Sequence, residues 1–162
     1  MGVIATGTPD EVRELRHLAA SLQQRLGHRV HVTLVDACRR TARATDSGSM
    51  QQLQHWPFVE LMPGCDLLIG AGGYNTVYES RLSGVRLLAI PRPRLYDEQH
   101  ARLKRHGIRC TDMSRVADDA ERMLSESDVQ PETPANGVHD AAAILANAHA
   151  DPDELLFNPL PP

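Results

Sequence analysis

The strongest constraint on the fold lies in two short runs, Asp66 to Gly70 and Arg86 to Ile90, whose interior residues are apolar without a break. A strand with one wet face would alternate polar and apolar side chains, so unbroken runs fit strands covered on both faces. Between them, residues 75–83 read as a helix ended by Gly84, the connection two parallel strands require.

The chain opens in the same way. Val3-Ile4-Ala5 is a short apolar run, and after Thr6-Gly7-Thr8 the residues Val12, Leu15, Leu18, Leu22 and Leu26 recur at helical spacing over 9–26. Thr8 followed by Pro9, Asp10 and Glu11 forms a capping box with proline at the first helical position, and Gly27 marks the stop. His31 to Val35 reads as the next strand, and residues 39–50 as a polar surface loop. Trp56-Pro57-Phe58-Val59 suggests a short strand or extended loop, with a brief helix before Gly64. Beyond Pro91-Arg92-Pro93 the pattern predicts a helix over 97–106 stopped by Gly107, a strand at 108–110 and a helix over 115–125. Alternation of this kind predicts an α/β fold with a doubly wound, Rossmann-like parallel sheet.

A length of 162 residues suits one domain with a sizeable core and a loose tail. The expected divisions are an α/β domain over 1–127, a polar linker over 128–136, an alanine-rich helix over 137–150 and a tail over 151–162. A net charge of -4 provides no general attraction to nucleic acid or anionic membrane. Cys38, Cys65 and Cys110 lack metal-ligand spacing and read as buried thiols of a reducing compartment. The eight histidines are scattered, and Asp151-Pro152-Asp153 lies in the tail, so no metal is expected. With neither a leader-like opening nor an apolar run of spanning length, a cytoplasmic protein is expected.

In an open parallel sheet, ligands bind beyond the carboxyl ends of the strands, which directs attention to the loops after Ala5, Val35, Ile69 and Ile90. The loop after Ile69 carries Gly70, Gly72 and Gly73, and a helix starting near Asn75 or Thr76 aims N–H groups and a positive dipole end into the same space. Spacing alone leaves phosphate binding and simple turn geometry as alternatives.

The stretch Asp66-Leu67-Leu68-Ile69-Gly70-Ala71-Gly72-Gly73-Tyr74-Asn75-Thr76-Val77-Tyr78-Glu79 resembles the donor-binding motif in the C-terminal half of GT-B glycosyltransferases. It continues in that family's order with Gly84-Val85, Pro91-Arg92-Pro93-Arg94 and Tyr96-Asp97-Glu98-Gln99, most like MurG-like, family 28-type enzymes. The resemblance covers roughly residues 54–107 closely.

It implies a nucleotide-sugar donor, a UDP-sugar, with Gly72, Gly73, Asn75 and Thr76 holding the diphosphate and Glu79 the ribose hydroxyls. Glu98 and Gln99 would meet the sugar, and Phe58 and Val59 the base. Each assignment has a plainer counterpart. Thr76 to Glu79 is itself a capping-box pattern, Glu98-Gln99 suits a solvated helix start, and Trp56 and Phe58 are residue types common in cores. Ala71 stands where several GT-B families carry a histidine, and Arg92 and Arg94 offer charge near the phosphates or simply solvated surface.

With its first strand at Val3, the chain is expected to take its acceptor site and catalytic base from a separate domain or subunit, as the split N-acetylglucosaminyltransferase of dolichol-linked oligosaccharide assembly does. Self-association is a further expectation. The alternatives are a sugar-nucleotide-binding module that never transfers, or a degenerate transferase fragment. An oxidoreductase fits less well, because neither glycine loop provides Gly-x-Gly-x-x-Gly with an acidic residue about 20 positions on.

Overall fold

The computed structural model describes residues 1–36, the backbone of 43–46, and residues 50–55 and 57–126. Cys38, Trp56 and the linker, helix and tail expected beyond residue 126 lie outside the described residues.

The elements in order are β1 (Gly2–Ala5), α1 (Pro9–Leu26), β2 (Thr33–Asp36), β3 (Arg43–Asp46), β4 (Gln51–Gln54), β5 (Leu68–Gly70), α2 (Tyr74–Leu82), β6 (Leu87–Ala89), α3 (Gln99–Arg105), β7 (Arg109–Cys110) and α4 (Val116–Ser125). They form one seven-stranded sheet in the order β3-β4-β2-β1-β5-β6-β7. All neighbours pair in parallel except β3, which is antiparallel to β4 at the edge. The expected α/β doubly wound sheet is therefore present, with an antiparallel edge strand added.

Strand residues alternate between two cores, which explains the unbroken apolar runs. Val3, Ala5, Leu67, Ile69, Leu88 and Ile90 pack on one face with Leu15, Leu22 and Ala19 of α1 and Val116 and Ala120 of α4. Ile4, Leu68, Leu87 and Ala89 point to the other face, against Val77 of α2, Leu103 of α3, Phe58 and Met62. Each face is covered by helices, so neither set of side chains meets water.

Helix α1 begins and ends where its signals stand. The Thr8 hydroxyl accepts from the Glu11 N–H at 3.4 Å, the Thr8 N–H donates to Glu11 Oε2 at 2.7 Å, and Gly27 closes the helix at φ 58°. Elsewhere the structure corrects the sequence reading. The second strand runs over Thr33–Asp36 rather than 31–35, and the polar stretch contains the edge strand β3. Next to it Gln51-Gln52-Leu53-Gln54 forms β4, too polar to show as a strand in sequence. Where a short strand or extended loop was expected at 56–59, with a brief helix before Gly64, Phe58–Glu60 and Met62–Gly64 are two 3-10 turns. Cys65 is half-buried and Cys110 exposed, not two buried thiols, because β7 is a two-residue edge strand with both residues outside the core. No helix among the described residues is long and apolar enough to cross a membrane.

The connections fix where a ligand can sit. From β1 the chain winds outward through α1 to β2, then returns to β5 on the other side of β1 and winds outward again through α2 and α3. Loops leaving β1 and β5 therefore diverge to opposite faces, opening a crevice at the carboxyl ends of these two neighbouring strands.

Candidate functional site

The crevice at this switch point encloses about 380 Å³, within the range of small-ligand sites. Ile4 and Thr6 from β1 and its loop form one wall, and Gly73, Tyr74, Asn75, Thr76 and Glu79 another. Pro57, Phe58 and Met62 from the two 3-10 turns close it.

The glycine loop is shaped by packing beneath it. Gly72 has φ 75°, a left-handed conformation, and a Cβ there would lie 2.9 and 3.0 Å from the Leu103 methyls and 3.3 Å from Ala89 Cβ. Gly72 therefore lets the loop settle onto α3. Gly73 differs: its φ is -62° and nothing lies within 4 Å of a Cβ built there, since it faces the open crevice.

Gly73 is also the N-cap of α2, with no side chain to satisfy the helix start. The first intrahelical bond at this end is Val77 N to Gly73 O, at 3.1 Å. Among the described residues the N–H groups of Tyr74, Asn75 and Thr76 have no acceptor, and they sit at the positive end of the helix dipole. Such a start favours an anion without any basic side chain.

Glu79 does not cap the helix. Helix α2 starts at Tyr74, so Thr76 is inside the first turn rather than at the cap, and Glu79 makes no capping bond. Its carboxyl has neither a hydrogen-bond donor nor a cation among the described residues, and partial burial alone pushes its pKa above the ordinary value. Glu79 lies three and four positions after Thr76 and Asn75 and so shares their helix face. Four residues of helix put its Cα about 6 Å along the axis from that of Asn75.

The other predicted residues are distributed unevenly. Phe58 lines the crevice but is 5% exposed, most of its ring lying in the core. Val59 packs partly buried against the core that contains Phe58 and Val77. Glu98 is exposed. Gln99 is buried, with a partner at each end of its amide: its Oε1 accepts from the Arg92 N–H at 2.9 Å and its Nε2 donates to Asp97 Oδ2 at 3.0 Å. Arg92 and Arg94 turn away from the glycine loop to α1, pairing with Glu14 at 2.7 Å and Glu11 at 2.8 Å.

Sequence reasoning missed Arg102. Its guanidinium pairs with Asp97, lies 5.4 Å over the Tyr74 ring and reaches Gly72 O at 3.5 Å. Asp97 is held below the usual carboxylate range, first by this bond to Arg102. No spacing rule announces the contact, because the fold alone brings the glycine loop onto α3.

No protein-family model matches the chain, and no curated protein matches it by sequence. Solved structures do. The spinosyn rhamnosyltransferase SpnG matches with a TM-score of 0.60 at 16% identity, over 91% of this chain and 44% of that one. Glycosyltransferase VinC, solved in complex with dTDP, matches with a TM-score of 0.57 at 17% identity, over 92% of this chain and 41% of its own. SnogD from Streptomyces nogalater, another glycosyltransferase, matches at 0.54 and 17% identity, over 91% of this chain and 42% of its own. The chain thus spans less than half the length of these proteins, and its fold is the Rossmann-like fold found in GT-B glycosyltransferases.

Proposed function

We propose that the chain is the donor-binding half of a GT-B glycosyltransferase, which holds a UDP-sugar and transfers its hexosyl group with an acceptor-binding domain or subunit. One observation carries the reading: the N–H groups at the start of α2 and the Glu79 carboxyl, without partners among the described residues, open into one crevice at the switch point. The diphosphate takes the N–H groups of Gly73, Asn75 and Thr76 with the Thr76 hydroxyl, and the ribose hydroxyls donate to Glu79. Phe58 and the backbone beside Val59 border the base.

The MurG-like order of motifs supports uridine, whereas VinC was solved with dTDP, so both pyrimidine nucleotides belong in the test. The helix start supplies the phosphate site, and we infer donor binding without a metal, in the cytoplasm. Among the described residues, Glu79 is the one carboxyl lining the crevice and no histidine lines it. With Glu79 assigned to ribose, the acceptor's base is assigned to the other half of the enzyme.

Calorimetric titration with UDP, UDP-N-acetylglucosamine, a dTDP-sugar and NAD, each with and without magnesium, tests this. Magnesium-independent binding of a pyrimidine nucleotide with none of NAD is expected. Silence toward every nucleotide would leave the fold without this function.

A further inference from the structure

A cavity of about 440 Å³ opens at the other end of the sheet from the crevice, where β6 and β7 begin and where α2, α3 and α4 end. Three arginines from different parts of the chain line it: Arg81 in the last turn of α2, Arg86 just ahead of β6, and Arg109 at the start of β7. Among the described residues Glu126 is the one carboxyl lining it. Leu87, Ile108 and Met123 give the same cavity an apolar wall.

Cations outnumber carboxylates in this lining. Arg109 Nη1 pairs with Glu126 Oε1 at 3.2 Å. Arg86 Nη1 donates to the Met123 and Glu126 carbonyls at the end of α4, and Arg81 Nη1 donates to the His106 carbonyl at the end of α3. Carbonyl oxygens satisfy donors without offsetting a full charge, and no carboxylate pairs with Arg81 or Arg86 among the described residues. Arg81 Nε is in addition buried with no partner among those residues, a state that native proteins relieve with a water or an ion. His106 also lines the cavity, and its pKa is lowered first by burial and then by Arg81, Arg105 and Arg102, so further positive charge is disfavoured here.

We propose that this cavity binds a small organic phosphate, with the phosphate held by Arg81, Arg86 and Arg109 and the apolar body seated on Leu87, Ile108 and Met123. Guanidinium groups meet phosphate oxygens in paired N–H bonds, and approach from three elements suits a tetrahedral group better than a planar carboxylate. The carbonyl bonds of Arg81 and Arg86 use Nη1, which leaves the Nη2 donors of both without an acceptor among the described residues. The ends of α3 and α4 oppose an anion with about half a charge each. Arg81 and Arg86 cover those ends and carry full charges. The site is separate from the crevice and independent of the donor-binding reading.

Calorimetric titration with phenyl phosphate and inorganic phosphate at low ionic strength tests this in the unaltered chain, Arg109→Gln and Glu126→Gln. Arg13→Gln, which removes an exposed arginine of α1 outside the cavity, is the charge control. The Arg109 and Glu126 side chains are 41% and 45% exposed, so both variants are expected to fold. Phenyl phosphate should bind the unaltered chain more tightly than inorganic phosphate. Its affinity should fall about tenfold in Arg109→Gln, the loss of one charge-assisted bond, rise about threefold in Glu126→Gln as a like charge is removed, and stay level in Arg13→Gln. Binding should also shift the His106 ring signals in NMR and raise the His106 pKa, because the bound charge offsets Arg81. Absence of phenyl phosphate binding by the unaltered chain overturns the proposal. So does an affinity indifferent to Arg109→Gln and Glu126→Gln, which would place the anion elsewhere, or one that Arg13→Gln lowers as much as Arg109→Gln does.

Discussion

Gly72 and Gly73 stand side by side, but the physical reasons for glycine differ. At Gly72 a methyl group meets both a left-handed backbone and the Leu103 side chain at 2.9 Å. Left-handed strain of about 1–2 kcal/mol and overpacking of about 1–3 kcal/mol act together, so Gly72→Ala should lower stability by roughly 2–4 kcal/mol in urea unfolding. Gly73→Ala places its methyl in open space at φ -62° and should cost about 1 kcal/mol or less as a cap change, yet weaken UDP binding at least as much as Gly72→Ala does. Equal loss of stability in the two variants would contradict this division. Glu79 provides the pH test. Burial raises its pKa, so the native state binds a proton more tightly than the unfolded chain, and stability falls as pH rises from the unfolded pKa through the folded one. Glu79→Gln should therefore match the unaltered chain in strong acid, exceed it in stability at neutral pH, and bind UDP more weakly by about 1.5–3 kcal/mol. A glutamine variant with full UDP affinity would remove Glu79 from the site.

Helix α1 and loop 91–98 meet through Glu11 and Arg94. Glu11 closes the capping box through Thr8 and also accepts from Arg94, and its pKa is lowered to about 2, with the Arg94 bond the largest cause. A depressed carboxyl contributes stability above its unfolded pKa and loses it as pH falls through the folded value. Between pH 4.5, its ordinary value, and about 2 the unaltered chain should lose stability that Glu11→Gln does not lose; parallel acid limbs would refute the pairing. Legibility follows the same elements. Helix α1 was readable to both ends because Thr8, Glu11 and Gly27 are local signals acting within one helix. Strand β4 was not, since Gln51-Gln52-Leu53-Gln54 lies toward the sheet edge and needs no apolar face to pair. The glycine loop was readable because its chemistry is contiguous in sequence. The engagement of Gln99, the turn of Arg92 and Arg94 toward α1, and the seat of Arg102 on Tyr74 depend on which helix lies under which loop, and that is set by strand order.

At the scale of the molecule, strand order places a crevice of small-ligand size on the chain. Doubly wound topology opens the sheet between β1 and β5, and that crevice carries helix-terminal donors at one point and one desolvated carboxyl at another. On the donor-binding reading the carboxyl would hold the ribose alike before and during reaction, and the helix-terminal donors would favour the charge that grows on a departing diphosphate, but neither takes the proton of an acceptor. Acceleration requires a base within about 3 Å of the acceptor hydroxyl, and Glu79, if it holds ribose, is not available to act as one. Proteins with this fold such as SpnG are more than twice as long, the match spanning 44% of that chain. The chain alone, given a UDP-sugar and a panel of alcohols, should therefore bind the donor and release free sugar slowly, with transfer to any alcohol at background as followed by chromatography. On the proposed reading, addition of an acceptor-binding partner should raise transfer without altering UDP affinity by more than about threefold, because the proposed donor contacts lie on this chain. Efficient transfer by the chain alone would show that the base belongs to it and would reopen the assignment of Glu79.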